Sequence, residues 1–279
     1  MKSLFDTASF DCSKIVTKSY STSFATAVRM LAPSIRQDIY NIYGFVRLAD
    51  EIVDSFHDYN KEELFAQFET DLKTALADKI SLNPILNSFQ HTVYKHQIPY
   101  SLIESFMYSM KLDLTKSFYT TREEYEEYIY GSADVVGLMC LKVFVKGNTE
   151  SYEKLKNSAM RLGSAFQKVN FLRDLRADHE DLNRTYFPNT DLKNLNEEAK
   201  KEIIQEIETD FAAGFQGIKN LPIEAKFGVY TAYIYYKKLL SKLKKTPSTE
   251  IKNTRIRVPD YEKMGLLANC YLKYRLNLL

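Results

Sequence analysis

Residues 44–54 read GFVRLADEIVD. The apolar residues of this stretch have the spacing of a helix that borders a core, and the same stretch carries two carboxylates. Asp50 and Asp54 stand four residues apart, with Arg47 one turn before them and Tyr43 one turn earlier still. At about 100° per residue these four side chains fall within roughly 60° of one another on one helix face. Apolar residues border that face, and a carboxylate buried there without a partner costs several kcal/mol. A cation is therefore needed to compensate the two aspartates.

A second polar stripe of the same form lies in LGSAFQKVNFLRDLRAD, residues 162–178. Gln167, Asn170, Asp174 and Asp178 fall within roughly 80° of one another at about 100° per residue. A single pair of acids at i and i+4 is most often a solvated surface with a basic residue nearby, and for either stripe alone that interpretation stays open. Two matching stripes, one of them with carboxamides upstream, favour a ligand site.

The residue types of the two stripes predict the ligand. Four carboxylates across a cavity repel one another unless divalent cations lie between them. Oxygen ligands without His or Cys are typical of Mg²⁺, with Mn²⁺ as the alternative ion, and Mg²⁺ completes its shell with substrate phosphate. Arg47 and Arg173 are expected to bind the same phosphate oxygens. The four histidines lack zinc spacing, and no glycine motif for nucleotides occurs.

The composition is that of a helix-rich globular chain: of 279 residues, 45% are hydrophobic, 27% are charged, 9 are Gly and 7 are Pro. A formal net charge of +2 without a basic tract argues against a nucleic-acid partner. Three scattered cysteines argue against a disulfide framework and favour the cytoplasm. No leader-like segment and no run of roughly 18 to 20 apolar residues occurs, which predicts a soluble or membrane-peripheral protein.

Helical periodicity runs along the whole sequence, and no segment has the alternation of a strand. Short connections and the absence of a linker predict one domain over residues 1–279. The polar, Lys-rich segment 244–257 is expected to be a loop that is more mobile than the rest. The predicted helices span residues 34–57, 61–79, 83–96, 99–115, 122–145, 150–181, 193–219, 222–245 and 259–277.

Taken together, the motifs resemble those of the squalene and phytoene synthases, a family that joins two prenyl diphosphates head to head. The resemblance covers residues 14–265 in the family's order and spacing. It implies an all-α, single-domain helical bundle of the isoprenoid synthase type with a central cavity. The segments that carry it are KSYSTSF (18–24), IYGFVRLADEIVD (42–54), YGSADVVG (130–137), LGSAFQKVNFLRDLRAD (162–178) and NRTYFP (183–188).

The resemblance also implies roles for individual residues. In this family the two acidic motifs bind a Mg²⁺ cluster that holds the diphosphates. The implied metal ligands are Asp50, Asp54, Asn170, Asp174 and Asp178. The implied catalytic residues are Asp50, Asp54, Asp174, Asp178, Tyr43 and Arg47. The residues implied to bind substrate or diphosphate are Ser21, Ser23, Phe24, Arg47, Gln167, Asn170, Arg173, Arg184, Tyr186 and Arg255.

Three positions depart from the family pattern. Glu51 stands where the family usually has Asp, and it is expected to point outward as a bystander. Tyr20 replaces a frequent His, and Ala177 replaces a common Glu. None of the three removes a principal ligand, so activity is expected to be retained.

The reaction implied by the resemblance is the head-to-head (1′-1) condensation of two geranylgeranyl diphosphates to phytoene, in carotenoid biosynthesis. It proceeds through cyclopropyl prephytoene diphosphate and releases diphosphate. Squalene or dehydrosqualene synthesis from two farnesyl diphosphates is the alternative, and a non-catalytic helical assembly factor of the same superfamily is a remoter one. NADPH is not expected unless the product is squalene. Phe24, Tyr43 and Phe171 lie near the stripes by helical phase and are candidates to shield a carbocation, with ordinary packing as the alternative.

The expected partners are prenyl diphosphate substrates, and the sequence does not fix the oligomeric state. The basic segment KKLLSKLKK at 237–245 is a candidate for holding a cytoplasmic protein on the inner face of a membrane. The alternative, a solvated helix face whose leucines pack inward, is favoured.

Overall fold

The computed structural model describes residues 2–188, 190 and 195–276. These residues form helices, one π-helical turn and no strand, apart from an isolated bridge between Phe118 and Thr185. The all-α prediction is therefore confirmed. The helices are α1 (Lys2–Tyr20), α2 (Thr22–Arg29), α3 (Pro33–Asp54), α4 (Lys61–Asp78), α5 (Pro84–His96), α6 (Tyr100–Leu112), α7 (Arg122–Ile129), α8 (Val135–Phe144), α9 (Thr149–Glu180), α10 (Glu197–Asn220), α11 (Ile223–Lys245), α12 (Ser248–Ile251) and α13 (Asp260–Arg275).

Short polar side chains begin several of these helices. Asn60, Asn148 and Asn196 each accept a hydrogen bond from the backbone N–H three residues further on. Thr121 and Glu124 form a capping box at the start of α7. These caps explain why most observed bounds lie within a few residues of the predicted ones. Residues 193, 194 and 277 of the predicted helices lie outside the described part of the chain.

The sequence prediction missed α1 and α2. The fully buried residues of α1 are Ser9, Ser13 and Thr17, while Cys12 and Val16 are only partly buried against the core, so the inward face of the helix lacks a clear apolar periodicity. Ser13 Oγ lies 2.6 Å from Ser88 Oγ on α5. A Cβ on Gly44 of α3 would lie 2.8 Å from Ser13 Oγ. α1 therefore docks through small side chains at close range.

The predicted helix 122–145 is interrupted by a π-helical turn at Tyr130–Asp134. A Cβ on Gly131, the second residue of this turn, would lie 1.9 Å from Ser109 Oγ and 2.7 Å from the carbonyl oxygen of Ser105. The turn therefore fits tightly against α6, and the single long helix of the prediction is corrected to two helices.

The segment 244–257, predicted as a loop, is partly helical and is tied to α10. Its first residues complete α11, and α12 follows after one turn. The buried Lys200 donates to the carbonyl of Thr246 at 2.8 Å, and Glu197 accepts from the backbone N–H of Ser248 at 2.6 Å. Both contacts fix the start of the segment to α10.

The basic segment 237–245 turns its apolar residues into the core. All three of its leucines are buried. Lys242 Nζ lies 3.1 Å from Glu262, and Lys244 Nζ lies 2.8 Å from Glu208. This arrangement is the solvated helix face with inward leucines, and membrane association stays a prediction without support from this segment. Among the helices described, none is both long and apolar enough to cross a bilayer.

Two hydrophobic clusters make up the core. The first is centred on α3, α5, α6 and α8, where the rings of Phe45 and Phe89 stack with centroids 3.9 Å apart. The second is built mainly from α9, α10 and α11 and includes the fully buried Phe211. Helix α9 packs against both α8 and α10 and so joins the two clusters.

Asp134, the last residue of the π-helical turn, is a buried acid beside α9. Ser164 Oγ donates to its carboxylate at 2.6 Å. Burial raises the pKa of Asp134 to about 7, against the lowering effect of this hydrogen bond, while Lys168, Asp210 and Arg161 are the charged groups that act on it. The folded state therefore keeps a proton that the unfolded chain releases at lower pH.

We expect the pKa of Asp134 to appear in the pH dependence of stability. Between its ordinary pKa of 3.8 and the folded value of about 7, the free energy of unfolding falls as pH rises, because the folded state binds the extra proton. Asp134→Asn cannot ionise, so its free energy of unfolding should fall less over this range, by a few kcal/mol. Urea unfolding at several pH values measures the difference. The exposed Asp78→Asn should follow the wild type, and an Asp134→Asn profile parallel to the wild type would contradict the assignment.

Candidate active site

The C-terminal half of α3 carries the first aspartate stripe, and each aspartate has an arginine partner. Arg47 Nη1 donates to Asp50 Oδ2 at 2.5 Å. Arg184 Nη1, from the segment that follows α9, donates to Asp54 Oδ1 at 2.5 Å. The same guanidinium donates to the carbonyl of Asp113 at 2.8 Å, which fixes its direction. Both carboxylates are thus held by charge-assisted hydrogen bonds.

Glu51 is not the outward-pointing bystander that the sequence predicted. It pairs with Arg47, and its side chain is only 16% exposed. The guanidinium of Arg47 also lies over the ring of Tyr20, 4.4 Å from the ring centroid. An arginine reaches residues three and four positions further along a helix equally well, so Asp50 and Glu51 share its two ends. Two of the positions that depart from the family pattern therefore hold Arg47 in place.

The second stripe lies on the C-terminal half of α9. Arg173 Nε donates to Asp174 Oδ1 at 2.9 Å, and Arg255 Nε lies 2.8 Å from the same oxygen. One turn earlier, Asn170 accepts a hydrogen bond from the hydroxyl of Tyr236 at 3.3 Å. Arg255, which the family resemblance implied as a diphosphate-binding residue, is thus brought to the second aspartate motif.

The two stripes face each other. Burial raises the pKa of Asp50 to about 7, and the charge of Asp54 adds to the effect. Burial raises the pKa of Asp178 on α9 to about 8, with further contributions from Asp174 and from Asp54 on α3. A carboxylate on one helix therefore acts on a carboxylate of the other, as the matching stripes predict. The cleft favours a bound positive charge, because a cation relieves this repulsion.

The donor set fits Mg²⁺ in kind. The charged ligands that the two stripes offer are carboxylate oxygens, without His or Cys. They come from two helices and repel one another. Among the described residues, no three His, Cys, Asp or Glu side chains converge closely enough to hold a metal ion on their own. Mg²⁺ usually binds one or two carboxylates and takes its other ligands from water and substrate phosphate, so such a preformed group is not required.

A cavity of about 290 Å³ starts at the stripe residues and continues between α2, α3, α8, α9, α10 and α11. Its polar lining includes Tyr43, Gln167 and Asn170, which stand one to two turns before the aspartates of their helices. The apolar walls include Val28, Leu31, Ile42, Phe144, Leu155 and Leu221. A ligand with a polar head at the aspartates and a long apolar tail in the cavity would match this separation of polar and apolar lining.

The SxSF element, Ser21–Phe24, forms the first turn of α2 at the same end of the cavity. Ser21 caps the helix by accepting from the backbone N–H of Phe24 at 3.2 Å. The ring of Phe24 stacks on that of Tyr43, with centroids 4.7 Å apart. Burial raises the pKa of Tyr43 to about 12, so its hydroxyl stays neutral. Ser23 lies half-buried on the same turn, and its role in binding substrate stays a prediction.

Two residues at this site were missed by the sequence reasoning, Asp113 and Tyr128. The hydroxyl of Tyr128 donates to Asp113 Oδ2 at 2.7 Å, and Arg184 lies against the same carboxylate. Burial raises the pKa of Asp113 to about 7, with the charge of Arg184 acting against it. The only sequence signal was a lone acid at the end of the predicted helix 99–115. These residues come together only in the tertiary structure, so helical periodicity cannot predict their contact.

Behind Arg184 lies a stack of buried aromatic rings. The ring of Tyr186 lies 4.0 Å from that of Phe171 and 5.2 Å from that of Tyr128. The hydroxyl of Tyr186 accepts from Arg184 at 3.4 Å. Neither Phe171 nor Tyr186 belongs to the cavity lining, so the packing alternative holds for Phe171, and substrate contact by Tyr186 stays a prediction.

We expect the two buried hydroxyls of Tyr128 and Tyr119 to differ in their contribution to stability. Tyr128→Phe removes the donor to a buried carboxylate and should cost about 1–3 kcal/mol of unfolding free energy. Tyr119 is the matched control, because its buried hydroxyl has no hydrogen-bond partner within the described residues. Tyr119→Phe should therefore be neutral or stabilising. Urea unfolding of both variants measures the difference, and equal losses would contradict the role given to the contact between Tyr128 and Asp113.

Comparison with solved structures supports the fold assignment. A dehydrosqualene synthase matches with a TM-score of 0.82 and 22% identity, over 96% of this chain and 98% of the other. A squalene synthase from Alicyclobacillus acidocaldarius matches with a TM-score of 0.73 and 19% identity, over 85% of this chain and 94% of the other. The predicted isoprenoid synthase type of helical fold is therefore confirmed.

Sequence comparison agrees. A phytoene synthase of Arthrospira platensis is 26% identical over 96% of this chain and 94% of its own length. A 15-cis-phytoene synthase of Pantoea ananas is 23% identical over 78% of this chain and 77% of its own length. The model of the squalene/phytoene synthase family matches residues 17–262, which include both aspartate stripes and the SxSF element. The chain belongs to the squalene/phytoene synthase family.

Proposed function

We propose that this chain is a prenyltransferase that condenses two geranylgeranyl diphosphates head to head (1′-1) to phytoene, in carotenoid biosynthesis. The observation that carries the proposal is the pair of facing aspartate stripes at the polar end of an apolar cavity. The relatives in Arthrospira platensis and Pantoea ananas, which bear the name phytoene synthase, support the choice of product.

The diphosphates would bind where the arginines now contact the aspartates. Guanidinium groups bind phosphate oxygens in a fork, and the four available here are Arg47, Arg173, Arg184 and Arg255. Mg²⁺, or Mn²⁺ in its place, would act as a Lewis acid on the leaving diphosphate. The residues that would hold it are Asp50, Asp54, Asn170, Asp174 and Asp178.

The first half of the reaction needs ionisation and shielding from water. The bond between C1 and the diphosphate oxygen of one substrate breaks, and its electron pair leaves with the diphosphate. The double bond of the second substrate attacks the allylic cation, and loss of a proton closes the cyclopropane ring of prephytoene diphosphate. The stacked rings of Phe24 and Tyr43 lie at this end of the cavity and offer a π face without a strong nucleophile. The apolar walls keep water away from the cation.

The second half of the reaction opens the ring. The cyclopropyl diphosphate ionises, rearranges to a 1-1′ linked cation and loses a proton to give phytoene, so no reductant is consumed. Squalene formation would replace that last proton loss by hydride from NADPH. We therefore propose that NADPH is not required.

We expect the carboxylates of both stripes to be needed for turnover. Asp50→Asn and Asp174→Asn remove one negative charge each with little change of shape, and turnover should fall by orders of magnitude while the far-UV circular dichroism stays native. The exposed Asp58→Asn, four residues beyond the first stripe, serves as the matched control and should keep wild-type activity. Unchanged turnover in both stripe variants would rule out the metal-cluster role.

The product assay decides between the candidate reactions. The chain is incubated with Mg²⁺ and either the C15 or the C20 diphosphate, with and without NADPH, and the extracted hydrocarbons are identified by mass spectrometry. Phytoene from the C20 substrate without NADPH is the expected result. Squalene formed only with NADPH, or dehydrosqualene from the C15 substrate alone, would replace the proposal. No product from any combination would favour a non-catalytic role.

A further inference from the structure

Helix α13 (Asp260–Arg275) packs on α11 and contributes one buried residue, Cys270. Its outer face is unusually apolar for a surface helix, since solvated helix faces are mostly polar and charged. The large apolar side chains exposed on it are Tyr261 (76%), Met264 (64%), Tyr271 (50%), Leu272 (59%) and Leu276 (66%).

The outer face of α13 has the spacing of a helix that packs along another helix. Tyr261, Gly265, Ala268, Leu272 and Arg275 follow one another at alternating intervals of four and three residues. The residues at the centre of this stripe, Gly265 and Ala268, are small, and both are exposed. A Cβ on Gly265 would meet no atom within 4 Å. Another helix could therefore approach the middle of α13 closely.

We propose that two copies of this chain pair through α13, antiparallel, about a twofold axis at Ala268. In this register Met264 of one copy stands level with Leu272 of the other, four residues on either side of the axis. Gly265 stands level with Tyr271, so the open space at the glycine receives an aromatic ring. The stripe is thus complementary to itself, which a twofold interface requires.

The charges at the two ends of α13 support a second copy as the occupant. Asp260 pairs with Lys263 of its own helix at 2.9 Å, but its side chain is still 87% exposed at the start of the helix. Arg275 lies at its end, and its side chain makes no hydrogen bond or ion pair within the described part of the chain. Antiparallel pairing brings these opposite charges together and also places Arg275 beside the ring of Tyr261. α13 as a whole carries two acids and three basic residues, a net charge of only +1, so an anionic bilayer gains little from it.

The size of the face sets the strength of the contact. A helix of 16 residues is about 24 Å long at 1.5 Å per residue. With five large side chains that are half or more exposed, the contact would bury on the order of 500 Å² per copy, below the roughly 800 Å² of a standard interface. The pairing is therefore reversible and depends on protein concentration.

Sedimentation velocity and light scattering of the full chain over a wide range of micromolar concentrations test the pairing. The wild type should pass from monomer to dimer as concentration rises. Ala268→Glu places two like charges at the twofold axis and should raise the dissociation constant by about tenfold or more. Asn269→Glu is the matched control: it adds the same charge one residue further on, about 100° around the helix, and should leave the dissociation constant unchanged.

A charge reversal tests the register. Arg275→Asp alone should weaken the dimer by setting an acid against Asp260, and adding Asp260→Arg should restore it. Circular dichroism confirms that each variant is folded. A wild type that stays monomeric, an Asn269→Glu effect as large as that of Ala268→Glu, or no rescue by the double reversal would each overturn the proposal. A monomer that co-sediments with anionic phosphatidylglycerol vesicles would assign the face to a membrane. None of these measurements needs enzymatic activity, so they are independent of the proposed reaction.

Discussion

Repulsion between carboxylates across the cleft of α3 and α9 governs the arrangement of the whole site. Neither helix could keep its aspartates at the edge of a core without positive charge nearby, and the arginines that supply it come from different parts of the chain. Arg47 and Arg173 belong to the same helices as the aspartates, whereas Arg184 comes from the segment after α9 and Arg255 from the segment after α12. The cleft therefore requires that four separate stretches of chain meet at one place.

The supporting structure can be understood from that requirement. Arg184 Nη1 reaches Asp54 while the carbonyl of Asp113 holds Nη2, and Tyr128 in turn holds the carboxylate of Asp113. Tyr20 and Glu51 do the same for Arg47. Each arginine at the first stripe is thus anchored on the side away from the aspartates, which limits the rotamer entropy that it loses when it binds a ligand.

The sequence predicted the parts of the site that depend on one helix at a time. The stripes on α3 and α9 follow from helical periodicity, and the same periodicity gave the helical fold class. Hydrophobic periodicity gives no signal where the buried residues of a helix are Ser and Thr. The sequence therefore did not predict α1, whose buried residues are Ser9, Ser13 and Thr17. Periodicity also gives no signal for contacts between distant segments, such as Tyr128 with Asp113. Glu51 was misjudged although its partner Arg47 lies on its own helix, because helical phase does not show that one guanidinium is shared between Asp50 and Glu51.

The hydroxyl-lined docking face of α1 has a consequence for the order in which the molecule opens. A helix whose fully buried side chains are Ser and Thr gains less from the hydrophobic effect, and each hydrogen bond of such a side chain contributes only about 0.5–1.5 kcal/mol. Helices with apolar inner faces are held far more firmly. α1 therefore gains less from apolar burial than α3 and α9 do, and its amide hydrogens should exchange ahead of theirs. Because α1 runs directly into the SxSF turn, a helix held with little apolar burial adjoins the polar end of the cavity.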